Sequence, residues 1–283
     1  MKLLISIVTW NNEKEIDMIM DSLMSLQCDF DFGVVISDNA STDNTRNIIK
    51  SSYSNQVLLI ENPENIGFGY AHNLVIKRFE ADYYLILNPD CYVEDEKSLQ
   101  KLVDFADENP DAWAIGPKLL NSDGTVQYSV RSFPDPIAAL FRNTFLDKIF
   151  PDNPFTRKYI QRDIDHDQIA EADWISGAVM LLKRDTITKI GGFDERYFMY
   201  VEDMDLCKEI HLRNKKVIYF PSSIFYHKIG ASSDKAVKAM VKEHHKSMYL
   251  YYKKFANPFA AKVLGSFVYV LIWLRMKSIL RRS

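Results

Sequence analysis

The feature that most constrains the fold is a regular alternation of apolar, β-branched runs with helix-like segments over the first ninety residues. The runs are long enough for buried strands, and the segments between them carry helical spacing or a capping Ser or Thr. This alternation indicates a mostly parallel sheet flanked by helices, an α/β fold. The predicted strands are 3–9, 32–37, 56–61 and 82–88, and the predicted helices are 12–26, STDNTRNIIK and 68–79.

Polar residues follow three of the four predicted strands, where each strand ends. Ligands of open parallel sheets bind beyond the carboxyl ends of the strands, so these residues are candidates for ligand binding. Taken singly, Asp38 and Asp90 are equally compatible with turns, which Asp and Asn commonly form. The polar residues at strand ends are Thr9, Asn11, Asp38, Asn39, Asn88 and Asp90.

The segment LILNPDCY places one carboxylate directly behind a proline. Pro89 restricts Asn88 to extended geometry, which helps to aim the next side chain out of the sheet. One protein carboxylate is compatible with Mg²⁺ or Mn²⁺ when a diphosphate supplies further ligands. His227, in YHKIGASS, is a second candidate because imidazole can ligate Mn²⁺ or contact phosphate, although a lone histidine is more often structural.

Three carboxylates crowd a predicted helix start in YVEDMDLCKEI: Glu202, Asp203 and Asp205. Acidic residues favour the positive end of the helix dipole, and this explanation suffices for Asp205. A carboxylate beside the preceding aromatic-rich loop can also act as a general base on a hydroxyl. Gly67 and Gly69 do not form a full dinucleotide fingerprint, but they allow the backbone to approach a ligand closely.

The totals allow one large domain, or one domain with a small appendage. The 283 residues carry a net charge of −3, which gives no overall basic field for nucleic acid. The three cysteines have neither zinc nor disulfide spacing, so we expect a reducing compartment. The first residues resemble a strand rather than a signal peptide, and we expect the protein to be cytoplasmic.

The charge is unevenly distributed, because no Asp or Glu follows Glu243 while eight Lys and Arg residues do. The apolar run VLGSFVYVLIWL spans about 18 Å as a helix, less than the roughly 30 Å core of a bilayer. This pattern favours a helix on an anionic membrane surface, and packing on the domain or on a second copy in a homodimer is the alternative. We predict one domain over 1–234 and a helical, basic C-terminal segment over 235–283. A hairpin is predicted around Asn121–Gly124, and a long loop with short helices over 134–170.

The order of several segments resembles the inverting, metal-dependent family 2 glycosyltransferases, and within them a rhamnosyltransferase-like branch of bacterial polysaccharide synthesis. The resemblance covers roughly residues 3–255 and implies a GT-A fold that binds a nucleoside-diphosphate sugar at the strand ends. The segments that carry it are ISIVTWNN, VVISDNASTDNT, ENIGFGYAHN, YLILNPDCYV, SGAVMLLKR, GGFDERYFMYVEDMDLC and YHKIGASS.

The resemblance also implies a role for individual residues. Asn88 replaces the first carboxylate of the family's Asp-X-Asp motif, which leaves open whether it contacts the sugar or the ribose. Asp203 matches the catalytic base, with Glu202 as the rival. The remaining matches are Thr9, Asn11, Gly67 and Asn73 for the nucleotide, Asp38 for the pyrimidine base, Asp90 and His227 for the metal or diphosphate, and Trp174, Ser176 and Gly177 for the acceptor.

The implied reaction is inverting transfer of a sugar, with dTDP-L-rhamnose as the expected donor and Mn²⁺ or Mg²⁺ as the cofactor. The expected acceptor is a hydroxyl of an oligosaccharide or a polyprenyl-diphosphate-linked saccharide, at the inner face of the cell membrane. Two alternatives stay open, a UDP-sugar donor and an inactive scaffold that only binds sugar nucleotides. A nucleotidyltransferase is disfavoured because ISIVTWNN lacks a phosphate loop.

Overall fold

The computed structural model describes residues 1–134, 150, 153–228, 237–256, 265, 268–270 and 272–277. The strands are β1 (Leu3–Thr9), β2 (Phe32–Asp38), β3 (Val57–Glu61), β4 (Tyr83–Leu87), β5 (Cys91–Tyr92), β6 (Ala112–Leu120), β7 (Val126–Gln127), β8 (Val130–Arg131), β9 (Ala170–Glu171), β10 (Trp174–Ile175), β11 (Val179–Lys183) and β12 (Lys216–His227). The helices are α1 (Ile16–Met24), α2 (Thr45–Ser52), α3 (Phe68–Arg78), α4 (Ser98–Glu108), α5 (Pro154–Tyr159), α6 (Arg184–Ile190), α7 (Glu202–His211) and α8 (Val237–Phe255).

The first four strands form the parallel half of the sheet, in the order β3-β2-β1-β4. The chain passes from β1 to β2 and β3 on one side and then returns to place β4 on the other side of β1. The carboxyl ends of β1 and β4 therefore flank a switch point, where open α/β sheets bind their ligands. The predicted mostly parallel sheet with flanking helices is confirmed.

The second half of the sheet is mixed. Strand β11 pairs antiparallel with β4 and with β6, whereas β12 runs parallel to β6 and antiparallel to β5. This brings His227, at the end of β12, next to Cys91 in register. The predicted hairpin is confirmed, because β6 and β7 pair antiparallel and the Asn121 amide donates to the Thr125 carbonyl at 2.8 Å.

Alternate residues of β1 enter two separate cores, one on each face of the sheet. Leu3, Ile5 and Ile7 pack with the apolar face of α1, and Leu4 packs on the other face with residues of α3 and α7. Burial of each such aliphatic side chain stabilises the fold by about 1.5–3 kcal/mol. The residues of α1 that fill the first core are Ile16, Ile19, Met20 and Leu23.

The C-terminal segment begins with α8, which is amphipathic and rests on the domain. The later described residues 268–270 and 272–277 are also helical. Within the part of the chain that the structure describes, no helix combines the length and apolar character needed to cross a membrane. The boundary predicted at 234 lies outside the described residues, so the two-part division stays a prediction. Residues 135–149 and 151–152 of the loop predicted over 134–170 also lie outside them, and the described remainder contains the short helix α5.

Candidate active site

A cavity of about 780 Å³ opens at the carboxyl ends of β1 and β4. Its walls come from the loops after these strands, from the start of α7, from α8 and from the last helical residues. A second cavity of about 750 Å³, beside α5, contains none of the predicted site residues. The predicted residues that line the larger cavity are Gly67, Asn88, Trp174, Ser176, Gly177, Glu202, Asp203 and His227.

The acidic start of α7 is aimed into this cavity by an unusual turn. Tyr200 and Val201 both have positive φ angles, 66° and 75°. This conformation is uncommon outside glycine and disfavoured above all for a β-branched residue, so the turn stores strain of order 1–3 kcal/mol per residue. The helix α8 supports the turn, since Ser247 Oγ donates to the Met199 carbonyl at 3.0 Å and the His244 ring contacts Tyr200.

Asp203 is held by three favourable partners. Its Oδ2 accepts a hydrogen bond from the Gly177 amide at 3.0 Å, and its Oδ1 accepts one from the Met204 amide at 2.8 Å. Burial raises the pKa of Asp203, while these amides and the Arg131 guanidinium oppose that rise. An ionised carboxylate facing a cavity in this way can accept a proton from a bound hydroxyl.

Glu202 lies beside Asp203 in a less favourable environment. Burial and then the neighbouring Asp203 charge raise the pKa of Glu202 to about 8. Its Oε2 is buried and has no hydrogen-bond donor among the described residues. At neutral pH Glu202 therefore keeps its proton while Asp203 is the more acidic member of the pair, which favours Asp203 over Glu202 as the base.

Asp90 and His227 form the second polar group of the site. The Nε2 atom of His227 lies 3.3 Å from Asp90 Oδ1, and its Nδ1 lies 2.6 Å from Gln127 Oε1. The Gln127 amide nitrogen donates to the His227 carbonyl and to Asn121, so its oxygen is left to accept from Nδ1–H. With Nδ1 directed at Gln127, the Nε2 atom of the ring and the Asp90 carboxylate are left facing each other, an arrangement that fits a divalent cation held by both groups.

Cys91 lies close enough to Asp90 and His227 to be considered as a third ligand. Its Sγ instead donates to the Ala178 carbonyl, and burial raises the pKa of this thiol well above its usual range. A neutral thiol is a poor ligand for hard ions such as Mg²⁺ and Mn²⁺. Of the three residues, Asp90 and His227 are therefore the candidate ligands for such an ion.

Asp38 is fully buried at the end of β2, in register with Thr9. Its carboxylate accepts hydrogen bonds from the Thr9 hydroxyl and from the amide and hydroxyl of Ser41, and it pairs with Arg46. Asn11 lies in the adjoining loop, where its Oδ1 accepts from the Thr42 amide at 2.7 Å. These contacts tie the loops after β1 and β2 together, and the roles of Thr9, Asn11 and Asp38 in nucleotide binding stay predictions.

Gly67 and Asn73 are placed differently. Gly67 lines the cavity with a φ of +87°, and a Cβ atom there would collide with the Phe198 carbonyl. Asn73 is not among the lining residues, since its amide bonds the Phe193 backbone and Glu195. The structure thus gives Asn73 a structural task, which is to hold the loop before α7 against α3.

The predicted acceptor residues line the same cavity as Glu202 and Asp203, and their role in acceptor binding stays a prediction. Gly177 contacts Asp203 directly, Ser176 Oγ accepts from the Ala178 amide, and the Trp174 indole donates to the Ser132 carbonyl. The sequence did not single out Arg131, Gln127 or the α8 residues of the cavity wall. No motif surrounds them, and only the tertiary fold brings them to the site.

The fold of this chain is of the GT-A type, and it matches the folds of two solved structures. The mannosyltransferase PcManGT of Pyrobaculum calidifontis, in complex with GDP-Man and Mn²⁺, superposes with a TM-score of 0.60 at 16% identity, covering 99% of this chain and 74% of that one. Staphylococcus aureus TarS in complex with UDP gives a TM-score of 0.57 at 18% identity, covering 100% and 71%. These likenesses establish the fold.

The chain belongs to glycosyl transferase family 2, whose sequence model matches residues 4–169. A curated relative, the N-acetylglucosaminyl-diphospho-decaprenol L-rhamnosyltransferase of Mycobacterium tuberculosis, is 31% identical over 255 residues, which are 86% of this chain and 81% of the relative. Rhamnosyltransferase WbbL of Escherichia coli is 28% identical over 166 residues, 55% of this chain and 58% of that protein. The expected family and enzyme class are confirmed.

Proposed function

We propose that this glycosyltransferase transfers L-rhamnose from dTDP-L-rhamnose, with inversion, to a hydroxyl of a polyprenyl-diphosphate-linked saccharide. The donor and acceptor are inferred from the rhamnosyltransferase relatives, one of which is named for a decaprenol diphosphate acceptor. The observation that carries the chemistry is the environment of Asp203, a half-buried carboxylate held by two amides beside Glu202, whose pKa burial raises to about 8.

In the proposed mechanism, Asp203 accepts the proton of the acceptor hydroxyl as its oxygen attacks C1 of the donor sugar. The bond from C1 to the diphosphate oxygen breaks on the opposite face, which gives inversion without a covalent intermediate. Asp90 and His227 would hold a Mn²⁺ or Mg²⁺ ion, whose charge stabilises the departing diphosphate when bound. Glu202 stays neutral and keeps a second negative charge away from the base.

We also propose that the protein works at the inner face of a membrane, because its acceptor would be anchored there. The supporting observations are the basic C-terminal segment and an outward apolar face on its last described helical residues. This face consists of Tyr269, Val270, Trp273 and Leu274, each at least 38% exposed. Aromatic and aliphatic side chains flanked by cations suit an anionic lipid surface.

The deciding experiment measures donor hydrolysis and transfer with dTDP-rhamnose and a panel of UDP-sugars, with Mn²⁺ or Mg²⁺ and with EDTA. We expect turnover of dTDP-rhamnose alone, lost with EDTA. Asp203→Ala should lower kcat by about 100-fold to 10,000-fold, whereas Asp111→Asn, at an exposed surface ion pair, should not.

Binding of Mn²⁺, followed by loss of the free-ion electron spin resonance signal, separates the metal from catalysis. Asp90→Ala should lose this binding, and Asp203→Ala should retain it. Turnover of a UDP-sugar would replace the rhamnose donor. Absence of turnover with any donor and acceptor would leave a sugar-nucleotide-binding scaffold. Activity that survives both EDTA and Asp90→Ala would contradict the metal assignment.

A further inference from the structure

Two arginines line the cavity and have no ligand assigned to them in the mechanism above, Arg131 on β8 and Arg275 on the last described helical residues. The Arg131 guanidinium lies over the Trp174 ring, 5.3 Å from its centroid, and Arg275 Nη1 lies 3.6 Å from Met248 Sδ. The Nε atoms of both are buried and have no hydrogen-bond partner among the described residues.

Neither guanidinium forms an ion pair with a carboxylate within the described parts of the chain, although Arg131 lies near enough to Asp203 to oppose the rise in its pKa. The other arginines that form ion pairs there, such as Arg46, Arg184 and Arg213, use nearby Asp or Glu residues. Arg275 is sufficiently enclosed that burial lowers its pKa. A partly buried cation without a partner is costly, so two at one cavity indicate that an anion completes the site.

The chemistry of these residues points to phosphate. A guanidinium offers planar, paired donors that match phosphate oxygens, and its weak hydration favours burial. Arg131 is in register with Trp174, a predicted acceptor residue, and it lines the cavity together with Asp203, so it lies on the side where an acceptor hydroxyl would contact the base. The donor diphosphate is expected instead at Asp90 and His227.

The surroundings of Arg275 fit a lipid-linked anion. Met199, Met240 and Met248 line the same cavity, and flexible thioethers adapt to irregular apolar groups. Arg275 belongs to the helical residues that turn Trp273 and Leu274 outward. The lipid chain of an acceptor that leaves the cavity at this edge would pass from the arginines toward the exposed apolar face.

We propose that Arg131 and Arg275 form an anion subsite for the diphosphate of a polyprenyl-diphosphate acceptor, with its first sugar directed at Asp203. The proposal rests on the proposed function, since it concerns the acceptor of the same cavity. In this arrangement, Arg131 and Arg275 are the residues that select a diphosphate-linked acceptor over a neutral glycoside.

The test uses farnesyl diphosphate as the probe, with isothermal titration of the full chain and of the Arg131→Gln and Arg275→Gln variants. We expect the Kd for farnesyl diphosphate to rise about tenfold or more in the Arg131→Gln and Arg275→Gln variants, because each variant loses a hydrogen bond from a charged group to the diphosphate. Arg131→Lys and Arg275→Lys should recover part of the affinity, and Arg78→Gln, at an exposed helix end, should have no effect.

Three comparison ligands identify the source of the anion. Farnesol should bind the wild type and the variants equally, dTDP with Mn²⁺ should bind all of them equally, and phosphatidylglycerol vesicles should retain all of them equally. Unchanged farnesyl diphosphate affinity would overturn the proposal. A loss of dTDP affinity would assign the arginines to the donor, and a loss limited to vesicles would assign them to lipid headgroups.

Thermal unfolding of each variant shows whether it is folded, and the Lys variants keep the test valid if a Gln variant is not. Hydrolysis of the donor in the absence of acceptor reports on the proposed function independently of this subsite. Donor hydrolysis with unchanged probe binding would overturn the subsite alone. If the wild type binds farnesyl diphosphate but does not hydrolyse the donor, the proposed rhamnosyl transfer is overturned and the anion subsite is not.

Discussion

Glu202 and Asp203 carry the same functional group at adjacent positions, but their neighbours make Asp203 the more acidic of the two. Asp203 receives two amide hydrogen bonds and the field of Arg131, whereas the Oε2 of Glu202 is buried without a donor among the described residues. The proposed base, Asp203, is therefore adjacent in sequence to a carboxyl group of higher pKa, that of Glu202. The turn at Tyr200 and Val201 determines how the first residues of α7 are oriented, and this orientation gives the two side chains different neighbours.

The protonated state of Glu202 predicts how stability depends on pH. Its pKa is about 8 in the folded protein and 4.5 in the unfolded chain, so between these values only the folded state keeps the proton. Stability should then fall by up to about 1.4 kcal/mol per pH unit from this group, and Glu202→Gln removes that fall. The Tm of Glu202→Gln minus that of the wild type should increase from pH 5 to pH 8.

Asp95 provides a control with the opposite shift. The hydrogen bond from Lys101 lowers the pKa of Asp95 below its usual value, so this carboxylate titrates below the range tested. The Tm difference for Asp95→Asn should therefore show no trend from pH 5 to pH 8. A flat difference for Glu202→Gln as well would mean that Glu202 is ionised in the folded protein.

Gly67 predicts a large effect from one methyl group. Its φ of +87° and ψ of 172° belong to a region that only glycine adopts readily, and a Cβ atom would collide with the Phe198 carbonyl. Gly67→Ala should destabilise the protein by about 3 kcal/mol or more. Gly124→Ala is the matched control, with a φ of +81° in open space, and should cost about 1–2 kcal/mol.

Urea unfolding of both glycine variants measures the two costs. Equal destabilisation would show that the backbone angle alone matters and that the contact with Phe198 relaxes. In that case the added methyl group does not displace the loop from the cavity, and Gly67→Ala should leave the donor KM unchanged. With the clash intact, the loop that borders the cavity is displaced and the donor KM should rise.

At the residue scale, the sequence could supply candidates but could not show how they are arranged. Asp90 and His227 were predicted as ligands, and the structure places them 3.3 Å apart. Arg131 and Gln127 lie in two-residue strands within a segment without periodicity. Their importance depends on contacts with residues roughly 40 to 100 positions away, which no local pattern encodes.

At the scale of elements, the parallel half of the sheet was predictable and the mixed half was not. The strands β1, β2 and β4 are apolar on both faces, which is the pattern of buried parallel strands. Strand β11 is equally apolar although it pairs antiparallel with both neighbours. Burial on both faces determines the amino-acid composition of a strand, whereas the direction of pairing depends on the connections between strands. The sequence therefore predicts which strands are buried but not the direction in which they pair.

The helix α8 is joined to α7 through one lysine. Lys254 Nζ lies 2.7 Å from Asp205, 3.0 Å from Glu209 and 3.2 Å from Asp194. The Lys254 side chain is 20% exposed and that of Asp205 is 2% exposed. Asp194 and Glu209 also pair with Arg196 and Arg213, so Asp205 is the carboxylate that depends on Lys254. The contact therefore links the C-terminal helix to the element that carries the proposed base.

Lys254→Met should destabilise the protein by about 2–4 kcal/mol, because it leaves the buried Asp205 carboxylate without its cation. Lys246→Met on the same helix is the matched control, since Lys246 is 61% exposed and its ion pair with Glu243 is at the surface. This control should change stability by less than about 0.5 kcal/mol. Urea unfolding checks both values, and equal effects would show that α8 is held by apolar contacts alone.

For the whole molecule, the charge asymmetry in the sequence gives an incomplete account of the C-terminal segment. Eight cations follow Glu243, but Lys254 is used by the acidic cluster and Arg275 lines the cavity. Lys277 lies over the Trp273 ring at 4.1 Å, beside the exposed apolar face. The segment thus has two sides, one that completes the active site and one that is free to meet another surface.

A membrane is the surface that this outer side fits best, since the apolar face adjoins cations and the remaining chain is acidic. Residues 1–243 carry a charge of −11 and the last forty residues carry +8, so attraction to anionic lipid is confined to this end. The variant Trp273→Ser with Leu274→Ser should bind vesicles with about 30% anionic lipid at least tenfold more weakly. Binding of the wild type should also fall as salt shortens the screening length from about 30 Å to about 8 Å.

Co-sedimentation of the full chain with vesicles measures this partitioning, with Leu212→Ser as the control. Leu212 is 60% exposed at the end of α7, outside the proposed membrane face, so its loss should not change binding. Equal partitioning of the double variant and the wild type would contradict a membrane role for the face. If the double variant instead changes only the oligomeric state in light scattering, the face joins two copies of the chain, and the acceptor must reach Asp203 without a membrane beside Trp273.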